Sequence, residues 1–196
     1  METVSGRQFW PASPVPGDID IEDAAHSLSH QPRFGGHTFK FYSVLQHQIY
    51  VAANLDRFKR EGLCHDNPEY IVLDMPSPIK HGIDLGEYPD VEREIAACFA
   101  MRYDLIWPTP RAVKDMDNII CLTERRDLMP KTGRPWSIPA EPLTRIKTGV
   151  EVWGNWWEKL FYPRVVTRIR PWSSTVAKRR YLRYFHALSE HANISA

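Results

Sequence analysis

The sequence predicts an all-α fold in one domain, and three observations support this. Apolar residues between positions 89 and 103 recur at helical spacing, at Val91, Ile95, Cys98 and Phe99. Asp20 and Ser43 are residue types that cap helix N-termini, and each precedes such a segment. A chain of 196 residues with 43% hydrophobic residues is long enough to bury the core of a single domain.

The first half of the chain divides at its turn residues. Residues 1–20 are rich in proline and predict an irregular arm, and residues 21–28 predict a helix that Asp20 caps. Ser43 begins a helix that runs to about Ala53, and a short turn joins it to a second helix over residues 57–66. Because a short link favours antiparallel packing, these two helices are expected to lie side by side.

Prolines determine the predictions for the next segments. Pro68 is expected to end or kink the second helix near residues 66–67, because proline lacks a backbone donor and clashes with the preceding turn. Residues 75–80 then predict a turn, with Pro76 and Pro78 blocking a helix. A third helix is predicted over residues 89–103.

A fourth helix is predicted over residues 109–128, with Val113, Met116, Ile120 and Leu128 on its buried side and Asp117 on or beside that face. A long proline-rich loop, residues 130–142, follows. Aromatic residues in segment 150–162 recur near helical spacing, at Trp153, Trp156, Trp157 and Phe161. This pattern favours a role in the core or in a dimer interface over stacking on bases. Residues 175–191 predict a final amphipathic helix. A C-terminal helical extension is therefore expected over about residues 150–192, beyond a core at about 20–130.

Composition excludes several classes of protein. A net charge of +1 argues against a protein that binds nucleic acid or membrane with its whole surface. Residues 164–183 are basic without an acid, which is typical of a solvated rim or of a site for an anionic partner. No stretch approaches the roughly 20 apolar residues of a membrane span, and residues 1–10 lack the apolar core of a signal peptide. The three isolated cysteines indicate reduced thiols. These features predict a cytoplasmic protein with no stable nucleic-acid complex.

A set of histidines and acids predicts chemistry. His47, His65, Asp66 and Asp117 form a mixed nitrogen and oxygen set suited to one divalent ion. Glu69 lies three residues after Asp66, where a carboxylate can accept a proton from activated water. With eight histidines and 24 acidic residues, a His-Asp pair also arises by chance, so spacing alone leaves both interpretations open.

Three sequence blocks extend this pattern. RFGGHTFKFYSVLQH, HDNPEYIVLDMPSPIK and VKDMDNIICLTERRDLMP, at residues 33–47, 65–80 and 113–130, resemble the HD-domain metal-dependent phosphohydrolases. The likeness is to the bacterial 5'-deoxynucleotidases and the phage dATP triphosphohydrolases, and it covers about residues 9–130. It implies a helical bundle that binds one divalent ion per chain, of Co, Mn, Zn, Fe or Mg. If a phage encodes the chain, the compartment is the host cytoplasm.

The resemblance also assigns roles. It implies that His47, His65, Asp66 and Asp117 hold the metal ion. Glu69 would orient or deprotonate the attacking water, and Asp74 would contact the sugar or the nucleophile. The family usually has a small residue where this chain has Pro68, which leaves the placement of Glu69 open.

Four further residues are candidates for binding the substrate. Arg33 resembles the phosphate-binding arginine of the family, and guanidinium binds phosphate through two parallel hydrogen bonds. Lys80 matches a motif lysine that reaches a terminal phosphate, or else it is an ordinary exposed lysine. His37 would contact phosphate or hold its loop, and Phe34 would stack on the base or pack in the core.

The resemblance therefore implies a metal-dependent phosphohydrolase of deoxynucleotides, in which metal-activated water attacks phosphorus. The substrate is either a dNTP, with dATP the leading candidate, or a dNMP. An HD-derived nucleotide sensor without turnover is the alternative from another class, although such a sensor does not need the full ligand set. A two-metal cyclic-nucleotide phosphodiesterase is disfavoured because the chain has no additional histidine pair near the set. Homodimers and larger rings are common in the family, so the resemblance allows a homo-oligomer.

Overall fold

Helices make up most of the computed structural model, which describes residues 1–150 and 165–194. The chain is mostly helical, as the sequence predicts. The longer helices are α1 (Ile21–His30), α2 (Val44–Asn54), α6 (Tyr88–Tyr103), α7 (Arg111–Leu128) and α8 (Ser174–Ile194). Shorter helices are α3 (Lys59–Cys64), α4 (Glu69–Val72) and α5 (Ser77–Gly82). Within the described residues, no helix is long and apolar enough to cross a membrane.

Two predicted caps begin their helices as expected. The Asp20 carboxylate accepts hydrogen bonds from the backbone amides of Glu22 and Asp23 at the start of α1. The Ser43 hydroxyl accepts one from the amide of Gln46 at the start of α2. Both side chains satisfy amide groups that have no partner within the helix.

Helix α2 lies at the centre of the bundle. Each of its residues from Val44 to Ala53 is buried, and it packs against α1, α3, α7 and α8. A helix that is buried on all sides needs partners for its polar side chains as well as its apolar ones. The polar residues of α2 are therefore the natural place for a buried polar site.

Helices α2 and α3 pack against each other, which confirms the prediction that they lie side by side. Helix α3 is shorter than the predicted range of residues 57–66. A side chain in place of Gly62 would put its Cβ 3.3 Å from the Cα of Ala52, so glycine permits this close approach of the two backbones. Helix α3 ends at Cys64, and Pro68 stands at the N-terminus of α4. The helix end predicted near residues 66–67 is confirmed, although α3 ends slightly earlier, at Cys64.

The turn predicted at residues 75–80 is wrong in part, because Ser77–Gly82 forms the short helix α5. Pro76 is its N-cap and Pro78 lies in its first turn. The amides of the first turn have no acceptor within a helix, so proline is tolerated there. These prolines start a helix and do not block it.

A short antiparallel pair joins Ile146–Lys147 to Val165–Val166, which the sequence did not predict. The Asn54 side chain at the end of α2 hydrogen-bonds both the amide and the carbonyl of Lys147. These bonds fix the end of the proline-rich loop against the bundle. Most of the aromatic segment 150–162, with Trp153, Trp156, Trp157 and Phe161, lies outside the described residues, as does Arg164.

The N-terminal arm is irregular, as predicted, and Asp23 of α1 holds it in place. The Asp23 carboxylate accepts hydrogen bonds from the hydroxyls of Thr3 and Ser5 and from the Ser5 amide. Burial opposes ionisation of Asp23, but the bonds from Ser5 and Thr3 outweigh it and lower its pKa.

We expect Asp23→Ala to lower the free energy of unfolding by about 1–3 kcal/mol, because it leaves the donors of Thr3 and Ser5 without their acceptor. Urea denaturation measures the change, and Glu22→Ala on the exposed face is the control, with a loss below about 1 kcal/mol. Since the folded-state pKa of Asp23 is lowered, its contribution is present at neutral pH and disappears as the pH falls through that pKa. An equal loss in both variants would contradict this role.

Candidate metal centre

Three helices bring the predicted metal ligands together. His47 lies in the middle of α2, His65 and Asp66 directly follow α3, and Asp117 lies on α7. One ligand atom from each of His47, His65 and Asp117 lies within 4.8 Å of the other two. Side chains far apart in sequence thus converge on one point.

Asp66 completes this group. Its Oδ1 lies 3.2 Å from His65 Nε2 and its Oδ2 lies 3.6 Å from His47 Nε2. Asp117 Oδ1 lies 3.0 Å from His47 Nε2 and 4.0 Å from His65 Nε2. Both carboxylates therefore face both imidazoles, and we call these four residues the metal cluster.

Both imidazoles are oriented through the same ring nitrogen. His47 Nδ1 lies 2.7 Å from Glu124 Oε1, and His65 Nδ1 lies 2.9 Å from the carbonyl oxygen of Gly62. Both oxygens can only accept a hydrogen bond, so each Nδ1 carries the proton that it donates. The lone pair of a neutral ring is then on Nε2. The two Nε2 atoms are buried, and neither has a hydrogen-bond partner of good geometry. Unpartnered buried nitrogens beside two carboxylates fit a divalent cation.

The electrostatics of the metal cluster also favour positive charge. Burial and Arg33 oppose protonation of His47, but Glu124 and Asp117 outweigh them and raise its pKa to about 9. Burial opposes ionisation of Asp66 and Asp117, yet the facing histidines lower the pKa of both carboxyls. The shifts are reciprocal, because the carboxylates favour protonated imidazoles and the imidazoles favour ionised carboxyls. The carboxylates therefore favour positive charge at this point.

Arg33 borders the metal cluster and is itself buried. Its guanidinium lies 3.3 Å from Asp66 Oδ2, 4.0 Å from Asp117 Oδ1 and 3.5 Å from Glu124 Oε2. Phe34, the next residue, has a left-handed backbone with a φ of 55°. Such backbone costs a non-glycine residue about 1–2 kcal/mol and is often found at functional sites.

Glu69 is the first residue of α4 and Asp74 lies two residues beyond its end, and both interact electrostatically with Asp66. Burial, with the charges of Asp66 and Asp74 added, raises the pKa of Glu69 well above its usual range. Glu69 Oε2 is buried and has no hydrogen-bond partner. Pro68 is the N-cap of α4, a position where a missing backbone amide costs no helical hydrogen bond.

Gln31 holds the segment that carries these two acids. Its side-chain amide donates to the backbone carbonyl of Glu69, and its Oε1 accepts a hydrogen bond from the Asp74 amide. On the other side of the cluster, the Tyr181 hydroxyl of α8 donates to Asn67, which follows Asp66. Neighbouring elements thus fix both the ligands and the flanking acids.

Three of the residues predicted to bind the substrate have no described contact with the metal cluster. His37 is exposed, and Lys80 is paired with Glu92 at 2.5 Å. Phe34 contacts Trp136, with their ring centroids 6.0 Å apart. Their contacts with a substrate stay predictions. Asp115 is exposed and paired with Arg111, as expected for a surface residue.

Sequence reasoning missed Glu124, which is fully buried. Besides His47, it accepts a hydrogen bond of 2.7 Å from the Tyr42 hydroxyl. Glu124 follows Asp117 by seven residues on α7, and residues at that spacing share a helix face. That spacing was a signal that could have identified it.

Two bacterial proteins resemble the chain. YfdR of Escherichia coli (strain K12) is 38% identical over 141 residues, which span 70% of this chain and 77% of YfdR. The chain belongs to the YfdR family. RCAP_rcc00048 of Rhodobacter capsulatus, another relative, is 33% identical over 139 residues, which span 64% of this chain and 70% of that protein. Both relatives are described as uncharacterized proteins. No protein-family model matches the chain.

We expect Glu124→Gln in this YfdR-family protein to weaken Mn²⁺ binding by about 10- to 100-fold, the usual effect of losing a carboxylate that orients a ligating histidine. Calorimetric titration measures the affinity, and circular dichroism checks that the variant is folded. Asp115→Asn, on the exposed side of the same helix, is the matched control with unchanged affinity. A folded Glu124→Gln that binds Mn²⁺ as tightly as the wild type would contradict this role of Glu124.

Proposed function

We propose that the chain is an HD-domain phosphohydrolase that uses one divalent cation to hydrolyse deoxynucleotides. One observation carries the proposal: two buried imidazoles, both held through Nδ1, direct unpartnered Nε2 atoms at two carboxylates. A single structural ion pair needs only one imidazole and one carboxylate, whereas two of each converge here. The sequence blocks that resemble HD-domain enzymes contain all four of these residues.

His47, His65, Asp66 and Asp117 would hold the cation. When bound, such an ion activates a water molecule and polarises a phosphoryl oxygen. The protein restricts where that chemistry takes place. His47 is completely buried, and Tyr42 and Glu124 close the cluster from behind. The open side is the one where Asp117 is partly exposed.

Glu69 would accept the proton of the attacking water, because a bound cation nearby favours the ionised form of this carboxyl, whose pKa burial and the neighbouring acids raise. It is a buried carboxyl beside the metal cluster, and its Oε2 has no other partner. Gln31 fixes the backbone of Glu69 and so limits the positions that its side chain can reach. The backbone amide of Asp74 donates to the same Gln31 side chain, and the Asp74 carboxylate would contact the sugar or the nucleophile.

Arg33 is suited to bind the phosphate of the substrate. It is near three carboxylates, and a bound cation would share two of them, Asp66 and Asp117. With that negative charge partly neutralised, the guanidinium has donors for a phosphate oxygen. The Lys80–Glu92 pair would have to separate before Lys80 reached a terminal phosphate.

A product assay tests the proposal. We expect the Mn²⁺-loaded protein to hydrolyse at least one of the four dNMPs or four dNTPs, with products separated by ion exchange. Triphosphate from a dNTP would indicate a triphosphohydrolase, and orthophosphate from dNMPs would indicate a 5'-nucleotidase. Full metal occupancy without turnover of any of the eight substrates would contradict the proposal and favour a nucleotide sensor.

Glu69→Gln separates proton transfer from metal binding in the same assay. We expect this variant to retain Mn²⁺ and to lose about 10²- to 10⁴-fold in kcat, the range for removing a general base. Undiminished kcat would show that Glu69 does not take the proton.

A further inference from the structure

A cleft beside α7 has the features of a nucleobase site. It has a volume of about 420 Å³ and lies between α7 and the proline-rich loop. Leu122, Arg125 and Arg126 line it from the helix, and Pro130 and Trp136 line it from the loop. This volume falls within the roughly 300–1,000 Å³ that small-molecule sites occupy.

A series of side-chain contacts connects this cleft to the metal cluster. The Arg33 guanidinium carbon, beside Asp66, lies 5.4 Å from the ring centroid of Phe34. The Phe34 ring centroid lies 6.0 Å from that of Trp136, and the Arg125 guanidinium carbon lies 4.6 Å from the Trp136 ring. Phe34 therefore connects Arg33, at the metal cluster, with Trp136, which lines the cleft.

The backbone at Phe34 allows this arrangement. Its left-handed conformation lets two consecutive side chains serve different surroundings, so that Arg33 reaches the carboxylates while Phe34 reaches Trp136. Phe34 is followed by Gly35 and Gly36, which also have positive φ values and suit the tight loop. The strained residue thus joins the two halves of the site.

Planar groups of two kinds line the cleft, and both bind bases. Aromatic rings and guanidinium planes stack on nucleobases, and every base offers a face for such contact. Trp136 is partly exposed and is stacked against Arg125, whose guanidinium also donates to the Arg134 carbonyl. This bond and stack hold Trp136 in place before any ligand enters.

We propose that Trp136 and Arg125, together with Phe34, form the site for the base of the substrate. The inference rests on the proposed phosphohydrolase function, because the phosphate end of the nucleotide must lie at Arg33 and the metal cluster. The ligand is then a nucleotide whose base reaches across Phe34 to Trp136. Stacking contributes affinity for any base, so discrimination between bases falls to polar groups at the edge of the cleft.

The test compares a nucleotide with the same phosphate lacking its base. The two probes are deoxyribose 5-phosphate and whichever of the four dNMPs binds most tightly. Each is titrated calorimetrically into the Mn²⁺-loaded Glu69→Gln protein, in which bound nucleotide is not turned over. We expect Trp136→Leu, added to this protein, to weaken dNMP binding by about 5- to 150-fold, which corresponds to one lost stacking contact. Binding of deoxyribose 5-phosphate should not change.

Two further variants complete the design. Trp136→Phe retains an aromatic face and should restore most of the dNMP affinity. Trp10→Leu, at an exposed tryptophan of the N-terminal arm, should leave both affinities unchanged. Equal weakening of both probes by Trp136→Leu, or no weakening of the dNMP, would overturn the base site while the phosphohydrolase proposal stands. Failure of the Mn²⁺-loaded protein to bind either probe or any of the four dNTPs would overturn both proposals.

Discussion

The interaction on which the site depends is the buried hydrogen bond between Glu124 and His47. Its length is 2.7 Å, and both side chains are fully buried. A buried carboxylate is costly unless charged or polar partners surround it, and Glu124 has three in Tyr42, His47 and Arg33. The contacts of Tyr42 and His47 with Oε1 fix the orientation of His47, and Arg33 forms an ion pair of 3.5 Å with Oε2. The cluster and the phosphate-binding arginine are therefore parts of one polar network.

The fold explains how such a network can exist inside a protein. Helix α2 is enclosed by neighbouring helices, so His47 is in the interior, while Asp117 on α7 remains partly exposed. The interruption between α3 and α4 places His65, Asp66 and Glu69 next to one another without a continuous helix between them. One side of the site is thus buried among helices, and the other side, at Asp117, is exposed enough for a substrate to approach.

Sequence reasoning predicted much of this arrangement. The Ser43 cap and the short link after α2 predicted that α2 and α3 lie side by side, and the ring centroids of His47 and His65 are 5.3 Å apart. It did not predict Gln31, because a buried polar side chain and an exposed one look alike in a sequence. Glu124 was also missed, although its spacing of seven residues from Asp117 placed it on the same face of α7. Helix α5 was missed because the same proline blocks a helix interior and suits a helix start. The Trp136 cleft depends on how a proline-rich loop folds back, which periodicity does not encode.

The most direct test of the central claim is the metal content of the protein. The wild type and His65→Ala would be loaded with Mn²⁺, freed of excess metal by gel filtration and measured by plasma mass spectrometry, with circular dichroism to verify folding. The account predicts one ion per chain in the wild type and none in folded His65→Ala. No retained ion in the wild type, or equal retention by both proteins, would contradict it.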